Sequence, residues 1–196
     1  MTKPLILTSP RGVAEFPYLT EPDVVFNPEG LFHTKLVCKK SDCVKIIKDI
    51  DDMIALEVKK QHDQDPKKPV KKAPLPYSIE DDEVTFNFKM KAQGVRKSDG
   101  KSFTQEPNLL NADLSEFDKT QTIWGGSSLK ITFEPYAWNM PIGIGCTLRL
   151  KAVQVLELVT GKKSSNTLGE LKAEPIVEPK VKEQPKHSEQ FVSELY

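Results

Sequence analysis

The chain has 196 residues, of which 38% are hydrophobic, and its 28 Lys and Arg balance 28 Asp and Glu. This length supports one domain with a sizeable core and an appendage. No apolar run approaches the roughly 20 residues of a membrane helix and no signal-peptide region opens the chain, so we expect a soluble protein that stays in the cytoplasm. A zero net charge excludes the global basic signature of nucleic-acid binders, so any such binding must come from local clustering.

The first predicted elements are a strand over residues 31–38 and a helix directly after it. A proline-rich stretch precedes the strand, and it receives no element. Ser41 is the predicted N-cap of the helix, because its side-chain oxygen can accept a hydrogen bond from the first turn. Apolar residues then recur at spacings of three and four, which predicts one buried stripe: Cys43, Ile46, Ile47, Ile50, Met53, Ile54 and Val58. Four prolines in residues 63–76 prevent the helix from continuing.

Alternating strands follow the proline-rich segment. Residues 83–92 alternate most regularly, and residues 108–112 form a further short strand. Residues 123–158 predict two strands joined by an aromatic loop. The first alternates Leu129, Ile131 and Phe133 with Lys130, Thr132 and Glu134, and the second alternates Leu148, Leu150 and Ala152 with Arg149 and Lys151. Tyr136 and Trp138 stand two residues apart, so in an extended segment their rings leave the chain on the same side.

These elements predict a mainly β fold. A closed oligonucleotide-binding barrel with one early helix fits them, because closure of a sheet removes its exposed edges. The helix comes earlier than in the standard barrel, where it lies between the third and fourth strands. We expect the barrel domain to cover residues 1–160 and a disordered tail to cover residues 161–196, which are poor in hydrophobic residues.

Cationic strand faces beside paired aromatic rings are typical of a platform for single-stranded nucleic acid, where Lys and Arg hold phosphates and rings stack bases. The candidate contacts are Lys89, Lys91, Lys130, Tyr136, Trp138, Arg149 and Lys151. Outward lysines are also ordinary on any soluble sheet, and Trp138 can instead plug the barrel end. The three cysteines and three histidines form no metal-ligand pattern, and no nucleophile signature occurs. We therefore expect no cofactor, no metal and no enzymatic activity.

Seven segments, in this order, resemble one family. They are RGVAEFPYLTEPD, GLFHTKLVC, PLPY, EVTFNFKMKA, NLLNAD, GGSSLKIT with PYAWN, and LRLKAVQVLEL. The chain is similar to the single-stranded DNA-binding proteins of T7-like podoviruses over residues 5–160. The resemblance implies a phage replication, recombination and repair protein in the cytoplasm of the infected bacterial host. It implies a homodimer, built on an oligonucleotide-binding barrel, that coats single strands and anneals complementary ones.

The resemblance also implies roles for particular residues. Lys89 and Lys130 match lysines of the family's binding face, Tyr136 and Trp138 match its tyrosine and tryptophan, and Thr132 stands where the family has a second lysine. In the family an acidic tail with a terminal aromatic residue binds the phage DNA polymerase and the helicase-primase. The corresponding partner-binding residues here are Phe191, Glu194, Leu195 and Tyr196. From residue 162 onward six Lys balance six Glu, so competition between tail and DNA should be weak.

A protein of a different class fits the same strands. A β-rich phage structural or scaffold protein would carry outward lysines only for solubility and would not bind nucleic acid. Salt distinguishes the two hypotheses, because phosphate binding releases counterions and weakens steeply as salt rises.

Overall fold

A computed structural model of the protein describes residues 4–25, 27–66, 69–96 and 99–161. The partner-binding residues expected in the tail, Phe191, Glu194, Leu195 and Tyr196, lie outside the described residues, as does the predicted disorder of residues 162–196. The described part is mainly β with one helix, as predicted. Its elements are β1 Leu7–Thr8, β2 Gly12–Asp23, β3 Leu31–Lys39, α1 Lys40–Gln64, β4 Tyr77–Glu80, β5 Glu83–Lys91, β6 Gln93–Val95, β7 Ser102–Thr104, β8 Asn108–Leu110, β9 Ser128–Met140 and β10 Gly143–Glu157.

Five strands form a ring in which each strand pairs with two neighbours. The order around the ring is β2, β3, β5, β10, β9 and back to β2. The pairing of β5 with β10 is parallel, and the other four pairings are antiparallel. A five-stranded ring of this kind is the oligonucleotide-binding barrel, so the predicted fold is confirmed. Short strands extend the ring: β1 pairs with β9, β4 with β5 and β8 with β10, while β6 and β7 form a separate hairpin.

The inward faces of the ring fill the barrel with aromatic and aliphatic side chains. Phe86, Phe88 and Phe133 are fully buried, and the ring centroids of Phe88 and Phe133 lie 5.0 Å apart. Burial of each such ring contributes roughly 1.5–3 kcal/mol. Because side chains alternate along a strand, this inward set directs the residues between them to the outer surface.

The helix α1 packs against β3, β5, β9 and β10 through Cys43, Ile46, Ile50 and Ile54. The predicted N-cap is wrong. The helix begins at Lys40, one residue after β3 ends, and Ser41 lies in its first turn and donates to the Asp42 carboxylate at 2.8 Å. The backbone N–H of Lys40 donates instead to the carbonyl oxygen of Asp82 at 2.8 Å. A turn from elsewhere in the chain thus supplies the acceptor that a capping side chain would supply.

The proline-rich N-terminal stretch forms β2, a twelve-residue strand of the barrel that the sequence pattern did not reveal. Its ladder with β3 is interrupted between Glu15 and Tyr18 and again between Tyr18 and Asp23. Pro17 and Pro22 fall in these two interruptions. Proline cannot donate to a ladder, so it is tolerated where the ladder is already broken.

The predicted pair of strands β9 and β10 is confirmed, with two corrections. Tyr136 and Trp138 lie within β9, so the predicted aromatic loop is wrong and only residues 141–142 connect the strands. The ladder shifts between Leu150 and Ala152. A bulge of this kind changes the face that each later residue takes. Ala152, predicted to point inward, is therefore half-buried opposite Thr132. Val153 and Val155 are buried instead.

Candidate nucleic-acid interface

Outward side chains of adjacent barrel strands lie in one row across the sheet. Tyr18 on β2 is opposite His33 on β3, and His33 is opposite Lys89 on β5. Lys89 is opposite Arg149 on β10, and Arg149 is opposite Glu134 on β9. We call these five residues the transverse row. Neighbouring strands lie about 4.8 Å apart, so three strand steps from Tyr18 to Arg149 span roughly 14 Å.

Tyr136 extends the row with an exposed ring on β9. The guanidinium carbon of Arg149 lies 3.4 Å from the centroid of the Tyr136 ring, which is a close cation–π contact. The side chain remains 44% exposed. A ring that is held by a cation and is still accessible provides a surface on which an unpaired base can stack.

Trp138 is held by more contacts within the protein than Tyr136 is. Its indole Nε1 donates to the Thr147 hydroxyl oxygen at 3.0 Å. A Cβ atom added to Gly145 would lie 2.6 Å from Cζ2 of the indole, so the ring occupies the space where a side chain of β10 would otherwise lie. Trp138 therefore packs against the β10 strand and is half-buried, with only part of its ring accessible.

Carboxylates within the molecule partly neutralise the predicted cations. The Nζ atom of Lys151 lies 2.8 Å from the Glu134 carboxylate, and Nη1 of Arg149 lies 3.8 Å from the same group. Lys91 pairs with Glu29 at 2.9 Å. Lys89 forms no salt bridge with any residue that the structure describes. A phosphate that approaches Arg149 or Lys151 must therefore compete with Glu134.

The structure separates Lys130 from Tyr136 along β9. Lys130 is exposed near the start of β9, opposite Gln154, whereas Tyr136 lies six residues further along the strand. At about 3.3 Å per residue, this places the two roughly 20 Å apart. Lys89, Lys91, Arg149 and Lys151 lie on the outer faces of the adjacent strands β5 and β10, and Arg149 contacts the Tyr136 ring.

Three members of the transverse row, Tyr18, His33 and Glu134, were not among the predicted contacts. The rings of Tyr18 and His33 stack with centroids 4.8 Å apart and planes inclined by 28°. The Nε2 atom of His33 lies 3.5 Å from the carboxylate of Asp23. The alternation of His33 with buried Phe32 and Thr34 was a usable signal for an outward side chain. Tyr18 gave no such signal, because the strand that carries it was not recognised.

The three cysteines are buried free thiols. Burial raises the pKa of Cys38 to about 12 and that of Cys146 to about 11, and it also raises the pKa of Cys43. These thiols therefore stay protonated at neutral pH, which makes them poor nucleophiles and poor metal ligands. In the described ranges no group of three or more His, Cys, Asp or Glu could hold a metal ion. None of the helices described there is long and apolar enough to cross a membrane.

Solved structures of phage proteins share this fold. The crystal structure of a single-stranded DNA-binding protein encoded by bacteriophage T7 matches with a TM-score of 0.68 and 24% identity, over 82% of this chain and 96% of that chain. The single-stranded DNA-binding protein from bacteriophage Enc34, in complex with single-stranded DNA, matches with a TM-score of 0.54 and 18% identity, over 78% of this chain and 86% of that chain.

Sequence comparison points to the same group of proteins. The single-stranded DNA-binding protein of Escherichia phage T7 is 27% identical over 79% of this chain and 77% of its own length. That of Enterobacteria phage T3 is 28% identical over 81% and 78%, respectively. A family model described as "Single-stranded DNA-binding protein, Bacteriophage T7" matches residues 11–158, which include the whole barrel ring. The chain therefore belongs to the family of the bacteriophage T7 single-stranded DNA-binding protein.

Proposed function

We propose that this protein binds single-stranded DNA across the outer face of its barrel and has no enzymatic activity. The observation that carries the proposal is the transverse row, in which the rings of Tyr18 and His33 are followed by the cations Lys89 and Arg149, and Arg149 contacts the exposed ring of Tyr136. Membership of a family named for single-stranded DNA binding supports the same ligand.

Each kind of side chain has its own part in binding. Lys89 and Arg149 attract phosphates, and the release of condensed counterions from the strand provides most of the affinity. Tyr136 stacks a base, which requires that the base be unpaired. The backbone phosphates of the strand displace Glu134 from Arg149 and Lys151. Because the Debye length at physiological salt is about 8 Å, this local group of cations acts although the net charge of the chain is zero.

We assign the protein to phage DNA replication, recombination and repair, in the cytoplasm of the infected bacterial host. There it coats single strands, anneals complementary ones and forms a homodimer. Its tail, through Phe191, Glu194, Leu195 and Tyr196, recruits the phage DNA polymerase and helicase-primase. The resemblance of the seven segments to the family supports these roles. Deletion of residues 188–196 should abolish capture of the polymerase in a pull-down and leave the barrel folded, whereas unchanged capture would contradict the assignment.

A competition experiment tests the choice of ligand. Labelled oligo-dT bound to the protein is challenged with unlabelled oligo-dT or with a hairpin duplex, both in the same buffer. We expect the single strand to compete far better, because stacking on Tyr136 needs the free face of a base. Equal competition by the duplex would contradict the proposal.

The competing assignment is a β-rich phage structural or scaffold protein. The ion pairs of Lys91 with Glu29 and of Lys151 with Glu134 favour it, since a cation that is already paired with a carboxylate is less available to a phosphate. Such a protein would show no saturable binding of oligo-dT at any salt concentration.

A further inference from the structure

A second aromatic surface adjoins the transverse row on the far side of β2. A groove of about 640 Å³ lies between β2 and the segment 122–126 that leads into β9. Its aromatic lining consists of Phe16, Tyr18 and Trp124. Hydrogen bonds hold the segment against β2, with the N–H of Gly126 donating to the Ala14 carbonyl oxygen at 2.8 Å.

Phe16 is held in an unusual conformation that presents its ring to solvent. It lies in the first interruption of the β2–β3 ladder with a φ of 47°, and its side chain is 68% exposed. A bulky residue in the left-handed region is strained, and such residues are concentrated at ligand sites. The ammonium group of Lys35 lies 5.7 Å from the centroid of the Phe16 ring.

Trp124 forms the opposite wall of the groove. One side of its ring packs against the chain, and the ring remains accessible to solvent. A Cβ atom added to Gly161 would lie 2.6 Å from Cε2 of the indole, so the chain after β10 passes directly against the ring. The side chain is nevertheless 51% exposed. A ring supported on one side loses little conformational freedom when a second ring stacks on it, which favours binding.

Tyr18 connects this groove to the transverse row. Its ring lines the groove and also stacks on His33, whose neighbour across the sheet is Lys89. Glu15 and Glu21 also line the groove, so phosphates are disfavoured there. The lining thus favours a flat, uncharged, aromatic group rather than the sugar–phosphate backbone.

We propose that this groove binds an unpaired nucleobase of the same DNA strand whose neighbouring nucleotides lie along the transverse row. The inference rests on the proposed function and extends it. The bound strand crosses the barrel from Tyr136 through Arg149, Lys89 and Tyr18, and one base enters between Phe16 and Trp124. The site size therefore exceeds the number of nucleotides that the row alone accommodates.

Tryptophan fluorescence tests the inference directly. The chain has two tryptophans, so the substitution Trp138→Phe leaves Trp124 as the single reporter. This variant is titrated with unlabelled oligo-dT while its emission is recorded, and in parallel its binding is followed by the anisotropy of labelled oligo-dT. We expect quenching of Trp124 that saturates at the same protein-to-oligonucleotide ratio as the anisotropy.

Two other outcomes would overturn the inference in different ways. A rise in anisotropy with unchanged Trp124 emission would show that the strand binds without entering the groove, and the proposed function would stand. An absence of any anisotropy change with the unsubstituted protein as well would remove the proposed function and the groove inference together.

Substitutions of Phe16 provide the second test. Phe16→Ala should weaken binding of a long oligo-dT by about 5- to 150-fold, the loss of one stacked base. Phe16→Leu should weaken it similarly, because leucine keeps bulk but has no aromatic face, whereas Phe16→Tyr should bind as the wild type does. Val44→Ala, an exposed position on α1, is the matched control. Equal affinity of the alanine, leucine and tyrosine variants would overturn the inference, even if one of them shifts the thermal transition.

Discussion

At the scale of single residues, Glu134 limits the positive charge of the proposed interface. It is the acidic member of the transverse row, and its side chain is only 16% exposed. Its carboxylate lies within 4 Å of both Arg149 and Lys151. Partly exposed pairs of this kind contribute about 0–1 kcal/mol to stability. Glu134 therefore makes Arg149 and Lys151 less available to phosphates and stabilises the fold little.

The substitution Glu134→Gln should tighten the binding of oligo-dT. It removes one negative charge, keeps the shape of the side chain and leaves both cations free for phosphates. We expect a gain of about 0.5–1 kcal/mol at low salt, measured by fluorescence titration. Glu106→Gln, which breaks a comparable pair with Lys119 elsewhere, is the control. Weaker binding by the Glu134 variant would show that the carboxylate orients Arg149 for DNA rather than competing with it.

Substitution of Tyr136 distinguishes a ring that stacks a DNA base from a ring that packs in the protein core. Tyr136→Ala should cost about 1–3 kcal/mol of binding free energy if a base stacks there, and Tyr136→Phe should cost much less because the ring remains. The thermal transition should move little, since the ring is on the outer face. Loss of that transition in the alanine variant would place the ring among the groups that hold the fold.

At the scale of elements, the strands were predictable where their alternation is regular. Residues 83–92 gave β5 almost to the residue, because inward aromatic residues alternate with polar ones. The strand β2 was missed because prolines such as Pro17 and Pro22 argue against a strand. In the structure both lie where the ladder of β2 with β3 is interrupted. The bulge before Ala152 was missed as well, since nothing in the local pattern shows where an extra residue leaves a ladder.

The β9–β10 pair depends on a glycine that leaves room for Trp138. Gly145→Ala would place a methyl group 2.6 Å from the indole, which must then move and lose its hydrogen bond to Thr147. We expect destabilisation of about 1–3 kcal/mol, measured by urea unfolding. At Gly125 the nearest atom to an added Cβ is 3.8 Å away, so Gly125→Ala should cost much less. Equal stability of the two variants would show that Trp138 is not fixed by this contact.

At the scale of the whole molecule, the candidate site depends on topology more than on any local motif. The sequence places Lys89, Arg149 and His33 on outward faces, but only the ring order makes them neighbours. The register between strands that are distant in sequence is set by the packing of the whole barrel. For this reason Lys130, which by pattern and resemblance is as good a candidate as Lys89, lies roughly 20 Å from Tyr136 along β9.

The salt dependence of oligo-dT affinity tests the central claim most directly. We expect the logarithm of the binding constant to fall linearly with the logarithm of salt concentration, with a slope of about −0.7 for each phosphate contact on a single strand. Lys89→Ala should make the slope less negative by about 0.7, and Lys45→Ala, exposed on α1, should leave it unchanged. A salt-independent affinity, or a slope that Lys89→Ala does not alter, would contradict the account that DNA binds across the transverse row.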